Sequence, residues 1–348
     1  MEYNKVLFIG LGGAGQRHLR VISKLSPNSI YLAFRTTNKT PLLRANFTVD
    51  QDNSIKDSYS LRIVETFEKG LLERPELVVI STPTSLHMNF ALKAVRSGAN
   101  VLVEKPFSHN LEQFSELKIA ALENNVQVLT SFQRRFNPNF QTIKQYLNEN
   151  KIGKITAVVF NVSSYLPDWH RYEDFRNMYA SKTELGGGVL LTEIHEVDLC
   201  FWFFGLPKSV FCMGGSFSDG DLPVEDTVTM ILDYQNFIVT LNISFMQKKT
   251  RREMYLYGSK TSFEWQETRN QLKIIDHTTG LEEAREVEFS SPDELFEIQY
   301  KSLKSSKKNF TEEAFTIAWA SIAIVEAAKK SLQTKATVDI DSLIKSLI

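Results

Sequence analysis

Val6-Leu7-Phe8-Ile9-Gly10-Leu11-Gly12-Gly13-Ala14-Gly15 stands almost at the start of the 348-residue chain, and its reading decides the fold. Four apolar residues predict a buried strand, and the glycines after them predict a tight turn into a helix. Gly10 permits the turn, Gly12 lets the backbone approach a pyrophosphate, and Gly15 lets helix pack on strand. Gly13 and Ala14 complete the same cradle. A helix beginning here offers unpaired N–H groups and a positive dipole end to an anion.

Outward from this turn, the first 130 residues alternate two periodicities. Val6–Ile9, Ile30–Phe34, Leu77–Ser81, Val101–Glu104 and Val128–Thr130 are short apolar runs suited to strands buried on both faces. Leu86, Phe90 and Ala94 recur at helical spacing before Gly98, as do Leu111, Phe114 and Leu117. Strand and helix in alternation predict a doubly wound parallel α/β sheet over 1–130. The remainder, 131–348, reads differently. A helix Pro138–Leu147 leads to a long strand Lys154–Ser164, then to an apolar helix Val189–Phe204. Strand candidates Ser209–Phe217, Asp226–Tyr234, Phe237–Phe245, Arg252–Tyr257 and Ser262–Trp265 follow, with a turn at Gln235-Asn236 and a last helix Glu312–Leu332. This succession predicts an antiparallel sheet in an α+β domain.

Composition narrows the class of function. A net charge of −1 supplies no field for nucleic acid or anionic lipid. No apolar run approaches the ~20 residues that span a bilayer, and no signal peptide is expected. Two cysteines, Cys200 and Cys212, cannot form a disulfide framework and suit a reducing cytoplasm.

Three further stretches carry candidate chemistry in the first domain. Arg35 lies twenty residues past Gly15, where an acid would bind a ribose 2′-hydroxyl. Arg35 with Thr36 and Thr37 would instead grip a 2′-phosphate, which favours NADP(H) over NAD(H). A solvated arginine beside a less selective NAD site is the alternative. Ser81-Thr82-Pro83-Thr84 sits at the carboxyl end of a strand, where open α/β sheets bind ligands. It suits ribose or nicotinamide contact, and equally a helix start with Thr as cap and Pro in the first turn. His87 lies in the helix beyond and reads as a structural side chain of this cofactor loop rather than a catalyst. Glu104-Lys105-Pro106 also follows a strand. Lys105 there is either an ammonium poised for proton chemistry or a lysine in a surface turn.

Taken in order, the glycine turn, Ser81-Thr82-Pro83 with His87, and Glu104-Lys105-Pro106 resemble the Gfo/Idh/MocA oxidoreductases, the family of glucose–fructose oxidoreductase and inositol dehydrogenase. Gly186-Gly187-Gly188-Val189-Leu190-Leu191 with His195 and Asp198 resembles the family's second-domain motif. So does Tyr257-Gly258-Ser259-Lys260 leading to Glu264-Trp265. The resemblance implies an N-terminal Rossmann domain and a C-terminal α+β domain with a large open, mainly antiparallel sheet. It implies hydride transfer at a sugar or polyol carbon, and homodimers or homotetramers built through that sheet. It identifies Lys105 as the active-site lysine, contacting substrate oxygen and nicotinamide ribose, and His195 as the acid–base residue. Asp198, three residues on, would orient the imidazole or bind a substrate hydroxyl. The family's usual aspartate one turn before the histidine is missing: Leu191 and Thr192 stand there, with Glu193 beside them. Thr192 can hydrogen-bond a substrate but is no base at neutral pH. That loss leaves room for a cofactor-binding regulator without turnover, or for a reductase of a non-sugar substrate.

Tyr165-Leu166-Pro167-Asp168-Trp169-His170-Arg171-Tyr172 is an aromatic, mixed-charge loop. Tyr165 and Trp169 offer faces to sugar C–H groups, or the loop packs over its own domain or an oligomer interface. With the Tyr179–Gly188 stretch it resembles family members of bacterial surface-sugar synthesis, which implies nucleotide-activated sugars among the substrates. Arg134 and Arg135 follow the last Rossmann strand, and Arg135 is a candidate ligand for a substrate carboxylate or phosphate. Lys248-Lys249-Thr250-Arg251-Arg252 reads mainly as a solvated edge, with substrate phosphate contact as the lesser reading. His195-Glu196-Val197-Asp198 completes no metal-ligand set, so no metal is expected.

Overall fold

The computed structural model describes residues 3–35, 40–170, 172–219, 221–305 and 310–347. Its chain divides into two units: 1–133 with 290–319, and 134–289 with 320–348.

In the first unit the elements run β1 (Lys5–Ile9), α1 (Gly13–Leu25), β2 (Ile30–Phe34), α2 (Ile55–Ser58), β3 (Arg62–Ile63) and α3 (Phe67–Leu72). They continue as β4 (Leu77–Ile80), α4 (His87–Arg96), β5 (Asn100–Val103), α5 (Phe114–Glu123) and β6 (Val128–Thr130). The strands form one sheet in the order β3-β2-β1-β4-β5-β6, every pair parallel. Val6–Ile9 and Leu77–Val78 are sealed from solvent, as continuous apolar strands covered on both faces must be. The chain reverses its winding between β1 and β4, which opens a crevice at their carboxyl ends. β3 escapes a reading from periodicity because it is two exposed residues, and Leu111 stays outside α5.

The second unit contains α6 (Pro138–Asn148), β7 (Ile155–Tyr165), α7 (Val189–Thr192), α8 (His195–Phe204), β8 (Ser209–Gly215) and β9 (Thr227–Asp233). Next come β10 (Ile238–Ser244), β11 (Met246–Gly258), β12 (Thr261–Gln266), β13 (Gln271–Asp276) and β14 (Glu282–Glu286). The chain then forms α9 (Glu294–Ser305), α10 (Phe310–Thr334), β15 (Val338–Asp339) and α11 (Ile340–Leu347). Of these, α9 and the start of α10, as far as Trp319, belong to the first unit, so the second is not one continuous stretch. Nine strands form a sheet in the order β14-β13-β12-β11-β7-β10-β9-β8-β15. Only β7 and β10 pair in parallel. Period-two alternation buries Val158, Phe160, Leu241, Met230, Met254 and Trp265 on one face and leaves the other open.

Two expectations need correction. The apolar run Val189–Phe204 is not one helix: Glu193, with φ −102° and ψ 39°, breaks it into α7 and α8. The strand expected over Arg252–Tyr257 begins earlier, at Met246, and takes in the basic run Lys248–Arg252.

Candidate active site

The first unit supplies a cradle at the β1–α1 turn. Gly10 N–H donates to the Phe34 carbonyl and Ser81 N–H to the Ile9 carbonyl, so both turns stand at the crevice where the winding reverses. Gly10 has φ +83°, and a Cβ there would lie 2.6 Å from the Ser81 carbonyl oxygen. A Cβ on Gly15 would lie 2.3 Å from the Gly10 oxygen, so α1 packs on β1 only through glycine. Gly12 differs, since a Cβ there meets nothing within 4 Å. Gly12 is also the N-cap of α1, with no side chain capping the helix. Ser81 Oγ and Thr82 Oγ1 are buried at the neighbouring strand end without a hydrogen-bond partner. An open helix N-terminus beside orphaned hydroxyls fits a dinucleotide: its pyrophosphate would take the Gly12–Gly15 amides, and its ribose or nicotinamide the hydroxyls.

Sequence reasoning missed Gln16 here. Its side chain donates to the Leu11 and Pro41 carbonyls at 3.1 and 2.7 Å and accepts from Leu43 N–H at 2.7 Å. It thereby fastens the segment after β2 beside the glycine turn. Arg35 directly follows β2, and its guanidinium donates to the Thr40 carbonyl at 2.9 Å. Thr36 and Thr37 lie outside the described residues, as does Arg171 of the aromatic loop.

Pro83 precedes a short turn at Thr84–Leu86, and neither it nor α4 has a side-chain cap, so the threonine cap is not found. His87 is the first residue of α4 and is buried. Its ring nitrogens lie 2.8 Å from the carbonyls of Pro106 and Thr82, which ties the Ser81–Pro83 loop to the Glu104–Pro106 loop. Burial pushes its pKa down, against the pull of the two carbonyls. Glu104 accepts from His18 at 2.7 Å and from the Lys105 backbone N–H at 3.0 Å. Burial pushes the Glu104 carboxyl up, but His18 and Lys105 outweigh it and hold it below the usual range. The turn that presents Lys105 is thus fixed by its own half-buried neighbour.

In the second unit His195 opens α8 and is almost wholly buried. Thr192 is buried too, and its Oγ1 donates to the Gly188 carbonyl at 2.5 Å. Gly188, at φ +97°, is required by the protein itself: a Cβ would lie 2.4 Å from Glu225 Oε1. Glu225, which no motif marked, accepts from the Leu190 N–H at the start of α7. The close approach at Gly187 likewise comes from the chain's own Tyr179 and Ala180 carbonyls.

Asp198 lies on α8 with its carboxylate held by Arg135, whose Nε and Nη2 donate at 2.8 and 2.6 Å. Burial pushes the Asp198 carboxyl up while Arg135 opposes the rise. Arg134 pairs instead with Glu267 at 2.7 Å. Beside them Arg252 donates to Glu193 at 2.5 Å and Glu196 at 2.7 Å, all three side chains being buried. Burial lifts Glu196, whose second oxygen has no hydrogen-bond partner. Ser164 Oγ also donates to Glu193. Nothing in the spacing of these residues announces their pairing, which β11 creates by passing the α7–α8 corner. The aromatic loop begins on β7: Tyr165 and Trp169 are half-buried, and the Trp169 ring meets Phe245 edge-on at 6.2 Å. Tyr172 stacks on His170, and burial with Glu173 pushes its hydroxyl up to about 12. Among the described residues no cluster of three or more His, Cys, Asp or Glu could hold a metal ion.

Two family profiles match the chain. One, described as an oxidoreductase family with an NAD-binding Rossmann fold, covers residues 4–132. The other, a GFO/IDH/MocA C-terminal domain, covers 140–264. The scyllo-inositol 2-dehydrogenase (NADP(+)) IolU of Bacillus subtilis is 32% identical over 170 residues, 48% of this chain and 49% of that protein. The chain thus spans about half the length of this curated relative. A putative NADPH-dependent oxidoreductase from Desulfitobacterium hafniense superposes with a TM-score of 0.80 at 19% identity, over 99% of each chain. The WlbA dehydrogenase from Bordetella pertussis, solved with NADH and UDP-GlcNAcA, superposes with 0.76 at 18% identity, over 97% of this chain and 98% of that one. At such identities the superpositions establish a shared fold.

Proposed function

We propose, for a chain that belongs to the Gfo/Idh/MocA family of oxidoreductases, an NADP(H)-dependent interconversion of a secondary alcohol and a ketone on a sugar, sugar acid or nucleotide-activated sugar. The observation that carries the reading is the open cradle at Gly12 beside the orphaned hydroxyls of Ser81 and Thr82. Arg35 at the end of β2, with no acid in its place, supports the phosphorylated cofactor. The relative IolU, named for NADP(+), agrees with that choice, and the WlbA complex agrees with a nucleotide sugar.

The nicotinamide supplies or accepts the hydride. Lys105 stabilises alkoxide charge on the substrate oxygen, and His195 exchanges its proton. Tyr165 and Trp169 provide faces for the sugar ring. Thr192, with its hydroxyl proton given to Gly188, contributes an acceptor only. Arg135 and Asp198 act on substrate indirectly, by fixing the helix that begins with His195. The setting we infer is synthesis of surface-glycan sugars in the cytoplasm, by a dimer or tetramer joined through the nine-stranded sheet. No described helix is long and apolar enough to cross a membrane.

Absorbance of the reduced nicotinamide, followed with candidate sugars, tests the reaction. Lys105→Ala should abolish turnover and keep most NADPH affinity. Normal turnover in that variant removes the assigned role. Native protein that binds NADPH yet oxidises or reduces no sugar favours the regulator instead.

A further inference from the structure

We propose that Lys248, Lys249 and Arg251 form a subsite for the diphosphate of a nucleotide-linked sugar. The inference rests on the sugar-directed reading above and narrows its substrate class.

The register of β11 against β7 carries the argument. Met246 stands opposite Tyr165, and the next paired residue, Arg251, stands opposite Ser163. Residues 247–250 therefore bulge out against Ser164 alone. β12 pairs with β11 only from Glu253 onward, so the bulge has no described strand on that side either. Lys248, Lys249, Thr250 and Arg251 are all exposed. Among the described ion pairs no carboxylate meets Lys248 or Lys249, and Arg251 reaches only the side chain of Glu253, at 3.5 Å. Three cations crowded into four residues repel one another, and an anion relieves that repulsion.

Edge protection alone would account for exposed lysines. It does not account for how the bulge is held. Ser163 Oγ donates to the Lys249 carbonyl at 2.8 Å. Arg252, the next residue, turns inward and binds Glu193 and Glu196 at the corner that precedes and begins α8. Ser164, opposite the bulge, binds the same Glu193. Leu166 N–H donates to the Phe245 carbonyl at 2.7 Å, which brings the aromatic loop to the strand just before the bulge. The backbone that carries the three cations is therefore tied through Arg252 to the α7–α8 corner and through Phe245 to the Tyr165–Trp169 loop. Bulges re-aim side chains beside active sites. Two flexible lysine charges and one guanidinium along about 10 Å of chain suit the several oxygens of a diphosphate better than a single carboxylate, which one guanidinium would serve alone.

The test uses UDP as probe, titrated calorimetrically into the full chain saturated with NADPH so that the cradle at Gly12 is filled. UDP should bind, more weakly as salt rises, while uridine should not. The variant Lys248→Gln/Lys249→Gln/Arg251→Gln should lose UDP affinity about tenfold or more and keep its NADPH affinity. Inorganic pyrophosphate should compete with UDP. Absence of UDP binding, or equal UDP affinity in the triple variant, overturns the subsite. Turnover on unphosphorylated polyols is scored separately. If it persists where UDP fails to bind, the subsite falls and the hydride chemistry stands. If UDP binds through these residues and no sugar is turned over, the subsite stands and the reaction falls.

Discussion

Arg135 carries its charge in a place where water scarcely reaches: its side chain is 11% exposed, and the Asp198 side chain opposite is 0% exposed. Two parallel N–H···O bonds make the pair bidentate, and the Trp202 ring lies 5.7 Å from the guanidinium carbon. Such a pair costs desolvation on both sides, so its net stabilisation is small, whereas removing one partner strands the other. Asp198→Ala should therefore lower unfolding stability by about 3–5 kcal/mol, and Arg135→Met/Asp198→Leu should recover most of that loss. Urea unfolding of the native chain, the single variant and the double variant measures both. A single variant within about 0.5 kcal/mol of native would mean that the charge finds another partner and the pair does not anchor α8.

The turn between β1 and α1 is an element whose glycines serve separate purposes, and substitution separates them. Gly12 has φ −70°, ordinary for any residue, and open space where a Cβ would go. Gly15 has the Gly10 oxygen 2.3 Å from that point. Gly12→Ala should leave stability within about 0.5 kcal/mol of native and weaken NADPH at least about tenfold, because the methyl occupies the phosphate's approach. Gly15→Ala should cost about 1–3 kcal/mol of stability by overpacking helix on strand. Fluorescence titration and urea unfolding distinguish the two, and a Gly12→Ala protein with native NADPH affinity would remove the cradle from the proposal. These glycines were legible because turn chemistry is local, as were β2 and β6, whose bounds follow continuous apolar runs. Other elements carry no such local mark. β14, Glu282-Glu283-Ala284-Arg285-Glu286, has the composition of a solvated surface and is a strand only through β13. The break at Glu193 contains no glycine or proline, and what distinguishes the residue is tertiary: Arg252 and Ser164 both hold its carboxylate. The first half of β11 hides its strand character in lysines, and the bulge that exposes them depends on pairing with β7.

At the scale of the molecule, the nine-stranded sheet is covered on one face and open on the other. Phe211, Ile231, Thr240, Val159 and Tyr255 align in one row across five strands of the open face. Met213, Ile238 and Tyr257 share that face and are 57%, 46% and 43% exposed. Exposed apolar side chains gathered on one face mark an interaction surface, and a specific interface needs roughly 800 Å² from each partner. The dimer or tetramer proposed above would meet that need by placing this face against a second copy of itself. An interface of this kind is self-complementary, so one substitution acts twice in each dimer. Val159→Glu/Ile231→Glu places two carboxylates at the middle of the row, directed away from the core. The fold should persist, with unchanged circular dichroism, because both positions alternate with buried neighbours rather than joining them. Four unpaired carboxylates would then have to be desolvated at each interface, and the expected result is a shift in sedimentation velocity from dimer or tetramer to monomer. A native chain that sediments as a monomer, or an assembly that survives the double substitution, would show that this face has another use.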